Sequence, residues 1–116
     1  MTVGDIYWVE LPPTNGHEQA GRRPAVVLQD EIYGGQLPLV LVVPLTGAIA
    51  ATRFAGTVKI APTQQNGLRQ ESVALVFQLR AIDRQRLRDR VGSLSPEDLV
   101  AVFNMLDNLM GRKSSA

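Results

Sequence analysis

The segment Leu39-Val-Leu-Val-Val-Pro-Leu45 is the main part of the longest apolar stretch in the chain, which begins at Leu37. A short run of β-branched and aliphatic residues such as this predicts a buried β-strand. The stretch is far shorter than the roughly 20 apolar residues that span a bilayer. Proline removes a ladder hydrogen-bond donor, so we expect Pro44 at a bulge, at a sheet edge or at the strand exit.

Similar runs on either side of this segment predict further strands and a mainly β fold. The run DIYWVEL over residues 5–11 ends at a Pro-Pro pair, and a second short run, residues 25–28, follows Pro24. The other predicted strands are 56–60, 71–77, 81–83 and 91–94. Because helices do not alternate with these strands, we expect a small antiparallel β-barrel or a strongly bent sheet.

One helix is predicted at the C-terminal end. Ser95 supplies an N-cap hydroxyl, Pro96 suits the first helical position, and acidic residues fill the first turn. A helical stripe of apolar residues follows at Leu99, Val102, Phe103, Leu106, Leu109 and Met110. Gly111 suits the position after the helix. We therefore expect a single domain over residues 1–111 and a disordered polar tail over 112–116.

Composition limits the kinds of chemistry available. The 116 residues are enough for one domain. Lys and Arg number 12 against 11 Asp and Glu, so the net charge of +1 leaves any polyanion site to locally placed arginines. With no Cys and one His, thiolate nucleophiles, zinc fingers and multi-histidine metal sites within one chain are excluded. The first ten residues lack the pattern of a signal peptide, so we expect a cytoplasmic protein.

The segment from Thr14 to Pro24 holds the only His, one acid and two adjacent arginines. A solvated hairpin loop is its simplest interpretation. Arg23, however, stands beside Pro24 at the entrance of a predicted strand, where a planar guanidinium can be aimed reproducibly at a phosphate. His17 is either a solvated loop side chain or one half of an acid/base pair.

Two other features have alternative interpretations. Thr46 either caps its own backbone at the strand end or presents its hydroxyl to a ligand. The basic segment over residues 80–90 also contains Asp83 and Asp89. It is either a self-paired solvated face or a contact surface for RNA or an acidic partner.

Six segments occur in a characteristic order: GDIYWVEL (4–11), GHEQAGRRP (16–24), VPLT (43–46), ESV (71–73), QLRAID (78–83) and RL (86–87). In these segments the chain resembles the MazF/PemK-type toxins of bacterial type II toxin–antitoxin systems. The resemblance implies an SH3-like antiparallel β-barrel with a C-terminal helix, and a homodimer. It also implies an antitoxin partner with a disordered acidic tail. The implied activity is that of an mRNA interferase, an endoribonuclease that cuts single-stranded RNA without a metal or other cofactor.

The resemblance assigns catalysis to Arg23, the Arg before the loop Pro, and to Thr46, which ends the Val-Pro-x-Thr strand. One branch of the family uses an Arg and an Asp just before the Gln instead. Those places hold Leu75 and Phe77 here, which favours the Arg–Thr pair. Attack by the 2′-hydroxyl is expected to leave 2′,3′-cyclic phosphate and 5′-hydroxyl ends. The candidate RNA contacts are His17, Glu18, Gln19, Phe54 and Gln78.

The same fold also allows functions without RNA cleavage, because a fold does not determine an activity. One alternative is a non-catalytic toxin, similar to the branch that poisons gyrase. The other is a plain nucleic-acid or protein binding module, which would use the basic segment over residues 80–90. Neither alternative requires the pair formed by Arg23 and Thr46.

Overall fold

A computed structural model of the chain describes residues 1–112, so all but the first residue of the predicted disordered tail lies outside the described residues. The elements are β1 Asp5–Leu11, β2 Gly21–Val27, β3 Leu39–Thr46, β4 Thr57–Ile60, β5 Ser72–Leu75, β6 Arg80–Asp83, β7 Leu87–Ser93 and α1 Pro96–Leu109. Short 3-10 turns occupy Glu31–Tyr33, Ile49–Arg53, Val76–Gln78 and Arg84–Arg86. Over residues 1–112, no helix has the length and apolar character that crossing a membrane requires.

The seven strands form one antiparallel sheet in the order β4-β5-β3-β2-β1-β7, with β6 also paired to β3. This confirms the prediction of a mainly β fold with a C-terminal helix. In the described part of the chain no ladder joins β6 to β7. Closure of the sheet into an SH3-like barrel therefore stays a prediction.

Strand β3 is the centre of the sheet because it has three partners. One edge pairs with β2, while the other pairs first with β6 and then, from Leu45 onward, with β5. Pro44 lies inside this strand, opposite Ala25 of β2, and its other side is a local edge without a partner strand, one of the three places expected from the sequence. Neither β6 nor β5 pairs with Pro44, so its missing N–H costs no ladder bond on that edge.

Three predicted strand boundaries are wrong by more than one residue. The predicted strand 71–77 ends at Leu75, because a 3-10 turn over Val76–Gln78 follows it. Strand β2 begins at Gly21 rather than at residue 25, because Arg22 and Arg23 pair with Glu10 and Val9 of β1. Strand β7 begins at Leu87 and takes up part of the basic segment. Polar residues that suggest a loop are thus held in the sheet by cross-strand pairing.

The sheet is buried on both sides near its centre. One cluster lies under α1 and contains Ile6, Val26, Leu28, Val43, Leu45, Ile60, Ala74, Val76, Leu94 and Val102. The other contains Val9, Leu11, Ala25, Val27, Val40, Val42 and Ile82. Because side chains alternate along a strand, neighbouring residues of β2 and β3 contribute to opposite clusters.

Helix α1 has the predicted start and only part of the predicted contact face. The Ser95 hydroxyl accepts a hydrogen bond from the Asp98 amide at 3.1 Å, which confirms the N-cap. Val102 is the buried residue of the helix, but Phe103 and Met110 are 38% and 56% exposed. The predicted stripe is therefore wider than the face that packs on the sheet.

The connection between β4 and β5, residues 61–70, lies directly against β7. The Ser93 amide donates to the Gln65 carbonyl at 3.1 Å. A Cβ built on Gly92 would stand 2.5 Å from the backbone oxygens of Gln65 and Asn66. This connection therefore packs against β7 only because residue 92 has no side chain.

Gly92→Ala should lower the free energy of unfolding by about 1–3 kcal/mol, because backbone atoms cannot give way to the new methyl group. Urea unfolding measures the change. Gly35→Ala is the matched control, since a Cβ there meets no atom within 4 Å. Equal stability of the two variants would contradict the close packing of residues 61–70 on β7.

Candidate functional site

The ladder between β2 and β3 sets the positions of the two residues predicted to be catalytic. Its pairing runs as far as Ala25 opposite Pro44. The same register, continued by two residues, sets Arg23 opposite Thr46. Both lie on the face of their strands that carries Ala25 and Pro44, because side chains alternate. The ladder itself ends before these two residues, and Thr46 is not among the residues that line the groove beside Arg23, so their pairing stays a prediction.

The two side chains have different surroundings. Arg23 is half-buried, and its Nε donates to the Ala20 carbonyl at 3.4 Å. Thr46 is only 6% exposed, and its Oγ1 accepts a hydrogen bond from the Ala48 amide at 3.2 Å. The self-capping interpretation of Thr46 is therefore correct. A hydroxyl that accepts one bond still has its proton to donate.

A groove of about 670 Å³ lies at this end of the sheet. Three arginines line it: Arg22, Arg23 and Arg69. Its other lining residues include Trp8, Pro24, Leu45, Gly47, Gln70 and Ser72, and none of its lining residues is an Asp or a Glu. A concave surface with cations and without carboxylates concentrates anions.

The loop between β1 and β2 is held by two side chains from the other part of the sheet. Gln78 Oε1 accepts from the Gln19 amide at 2.7 Å, and Gln78 Nε2 donates to the His17 carbonyl at 3.2 Å. Arg80 Nη1 donates to the Gln19 carbonyl at 2.9 Å. Both the oxygen and the nitrogen of the Gln78 side-chain amide are therefore bonded to the loop backbone. This loop-holding role could not be predicted from the sequence. The expected contact of Gln78 with RNA stays a prediction.

A smaller cavity of about 110 Å³ brings together four of the five candidate RNA contacts, namely His17, Gln19, Phe54 and Gln78. Phe77 completes an aromatic pair with Phe54, with ring centroids 5.9 Å apart and an angle of 48°. Gln19 Oε1 is buried there without a hydrogen-bond partner in the described part of the chain. Exposed aromatic faces beside an unpaired acceptor can stack and bond an unpaired base.

Glu18, the fifth candidate contact, lies in a neighbouring depression with Gly16, His17 and Arg80. Its Oε2 accepts a hydrogen bond from the Thr14 hydroxyl at 2.7 Å. That bond, together with a backbone hydrogen bond, holds the pKa of the Glu18 carboxyl below its ordinary value. Glu18 therefore stays ionised at neutral pH and contributes a negative charge at the loop.

The basic segment over residues 80–90 is largely paired with β1. Arg88 forms an ion pair with Glu10 at 3.1 Å, and Arg90 forms one with Asp5 at 3.3 Å. Both side chains are paired, but the interpretation of a segment paired within itself is wrong for them. Their partners are acids of β1, rather than the Asp83 and Asp89 within the segment, because β1 and β7 are neighbouring strands.

Comparison with known proteins agrees with the fold and with the residues that carry the resemblance. The model of a family described as PemK-like, MazF-like toxins of type II toxin–antitoxin systems matches residues 2–110. The chain is 33% identical over 111 residues to endoribonuclease MazF of Staphylococcus saprophyticus, covering 96% of this chain and 92% of that protein.

Solved structures show the same similarity. A crystal structure of MazF from Deinococcus radiodurans aligns with a TM-score of 0.81 and 29% identity, covering 96% of both chains. A crystal structure of MazE–MazF from the same organism aligns with a TM-score of 0.74 and 28% identity, covering 97% of both chains.

Gln78→Ala should release the loop, because it removes the acceptor for the Gln19 amide and the donor to the His17 carbonyl. We expect faster hydrogen exchange at the Gln19 amide, while the exchange of buried sheet amides is unchanged. Gln85→Ala is the control, since Gln85 is exposed. Unchanged exchange at Gln19 in the Gln78 variant would show that the loop does not depend on this amide.

Proposed function

The chain belongs to the PemK-like, MazF-like toxin family of type II toxin–antitoxin systems, and we propose that it is an endoribonuclease of the mRNA interferase type. The observation that supports the proposal is the β2–β3 register, which would bring Arg23 opposite Thr46 if it continued two residues beyond Ala25 and Pro44. Arg23 also lines a groove without acids. The alignment with endoribonuclease MazF spans nearly the whole chain and supports the same activity.

We propose unpaired RNA as the substrate. RNA carries its own nucleophile, the 2′-hydroxyl beside each phosphodiester. In-line attack requires a backbone that can turn, which an A-form duplex restricts. The cavity containing Phe54 and Phe77 also suits a base that has left its stack. Messenger RNA has such unpaired segments. Because messenger RNA is translated in the cytoplasm, we propose that the protein acts there.

Arg23 stabilises charge in this mechanism. As the 2′-oxygen bonds to phosphorus, negative charge builds up on the non-bridging oxygens, and a guanidinium offers planar donors to two of them. A guanidinium remains protonated in proteins, so it neutralises this charge rather than accepting the hydroxyl proton. The hydrogen bond from Arg23 Nε to the Ala20 carbonyl orients the side chain before substrate binds.

Thr46 orients the phosphate. Its Oγ1 is fixed by the bond from the Ala48 amide, which leaves the hydroxyl proton for a non-bridging oxygen. The bond between phosphorus and the 5′-oxygen then breaks. The 2′-hydroxyl gives up its proton and the 5′-oxygen takes one. The products are a 2′,3′-cyclic phosphate and a 5′-hydroxyl, formed without a metal ion.

We also propose two protein partners. One is a second copy of this chain, because exposed apolar residues such as Ile32, Tyr33 and Leu39 provide surface for a dimer interface. The other is an antitoxin, by analogy with the MazE–MazF structures from Deinococcus radiodurans. An acidic antitoxin tail would complement the arginines of the groove.

Incubation of the purified protein with a long unstructured RNA in the presence of EDTA tests the proposal. We expect fragments with 5′-hydroxyl ends. Arg23→Ala should cleave RNA about 10²–10³-fold more slowly than the wild-type protein, which is the usual effect of removing one preorganised donor. Thr46→Val should lose most of the activity, and Thr46→Ser should restore much of it by returning the hydroxyl.

Arg112→Ala is the control, because it removes one exposed Arg at the far end of α1. Circular dichroism verifies that every variant is folded. Wild-type cleavage by Arg23→Ala would contradict the assignment. RNA that stays intact with the wild-type protein would favour a gyrase poison or a binding module of the same fold.

A further inference from the structure

We propose that Arg22 and Arg69 form a second phosphate site in the groove, which holds the RNA phosphate next to the scissile one. The inference rests on the proposed RNA-cleaving function and adds residues that touch the substrate away from the reacting phosphate. The inference depends on the charge of the groove and on the contacts that hold each of the two arginines. It also depends on the fact that successive phosphates of an RNA strand are covalently linked.

Among the residues that the structure describes, the groove arginines lack a carboxylate partner, as do Arg53, Arg80, Arg84 and Arg86. The ion pairs of residues 1–112 are Lys59 with Glu71, Arg88 with Glu10, Arg90 with Asp5 and Arg112 with Asp107. Arg22 is opposite Glu10 in the β1–β2 ladder, yet that carboxylate is 3.1 Å from Arg88. The guanidinium of Arg22 is therefore available for an anion from outside the chain.

The side chain of Arg22 stacks on the ring of Trp8. The Arg22 guanidinium carbon lies 4.9 Å from the centroid of the Trp8 ring, and both residues line the groove. A guanidinium stacked on an aromatic face keeps its N–H donors at the edges, where a phosphate oxygen can accept them. The stacking also reduces the rotamer freedom that binding would otherwise remove.

Arg69 projects from a rigid connection rather than from a free loop. Asn66, which is 1% exposed, accepts from the Thr63 and Leu68 amides at 2.9 and 3.0 Å, and donates to the Ala61 carbonyl at 2.9 Å. Packing against Gly92 holds the same connection to β7. The backbone that carries Arg69 is thus fixed relative to the sheet that carries Arg22.

An RNA strand is the occupant that these observations favour. Arg22 and Arg69 line the same 670 Å³ groove as Arg23. A strand that places its scissile phosphate on Arg23 carries another phosphate one nucleotide away on either side. The neighbouring phosphate would therefore lie in or beside this groove, where the Arg22 guanidinium is stacked on Trp8 and Arg69 projects from a fixed backbone.

The expected role is affinity without base selection, because phosphate contacts position a strand and carry no sequence information. For single strands each neutralised phosphate contributes about 0.7 to the slope of log affinity against log salt concentration. Loss of one such contact should weaken binding to RNAs of different sequence by similar factors. It should raise KM more than it lowers kcat.

Arg22→Gln and Arg69→Gln test the proposal, with Arg112→Gln as the control of equal charge change at an ion-paired site. The binding probe is a labelled single-stranded DNA of mixed sequence, which has the phosphates but no 2′-hydroxyl. Fluorescence anisotropy across a salt series should show the slope reduced by roughly 0.7 in each groove variant. The control should keep the wild-type slope. KM and kcat for RNA cleavage are measured in parallel.

If the wild-type protein cleaves RNA and both groove variants keep its salt slope and its KM, the second phosphate site is overturned. The proposed RNA-cleaving function would remain. A groove variant that binds the DNA normally but loses binding to an acidic peptide would assign the groove to a protein partner, and would also overturn it. A wild-type protein that neither binds the DNA nor cleaves RNA would instead refute the proposed function, and the phosphate site with it.

Discussion

The antiparallel register between β2 and β3 is the constraint on which the site depends. Residues 25–27 of β2 and 42–46 of β3 are buried on both faces, so a slip by one residue would exchange the side chains of the two apolar clusters. It would also move Arg22 and Arg23 relative to the core, at a cost of about 1.5–3 kcal/mol for each large apolar side chain exposed. The strand ends that carry Arg23 and Thr46 are therefore held by apolar packing several residues away.

The polar parts of the site are held by a different means, namely side chains that bond to backbone. Gln78 and Arg80 bind the loop that precedes β2, and Asn66 binds the connection that carries Arg69. These contacts order the loops before a substrate arrives, so less entropy is lost on binding. The apolar core fixes the strand ends, and backbone-directed amides fix the loops around them.

Local patterns allowed much of the fold to be predicted from sequence. Strand β1 occupies the predicted residues, and α1 starts after the predicted Ser95 cap, because alternation and capping are encoded within a few neighbouring residues. The start of β2 was missed because Arg22 and Arg23 look like loop residues until β1 pairs with them. Of the predicted helix stripe, Phe103 is exposed, since periodicity alone does not show how wide the packed face of a helix is.

The resemblance supplied candidate site residues, but contacts between segments distant along the chain could not be predicted from the sequence. Four of the candidate RNA contacts line one cavity, and their role stays a prediction. Arg69 was missed because the placement of its connection depends on Gly92, more than twenty positions along the chain. The loop-holding role of Gln78 was missed for the same reason, since its partners are 59 and 61 residues away.

A double-mutant cycle on Arg23→Ala and Thr46→Val, measured as single-turnover RNA cleavage, tests the central claim most directly. Two side chains that grip one phosphate act as a unit, and the effects of such residues on rate do not multiply. We expect the double variant to be about as slow as the slower single variant. A double variant slowed by the full product of the two single effects would show that the residues act independently, and would contradict a shared phosphate.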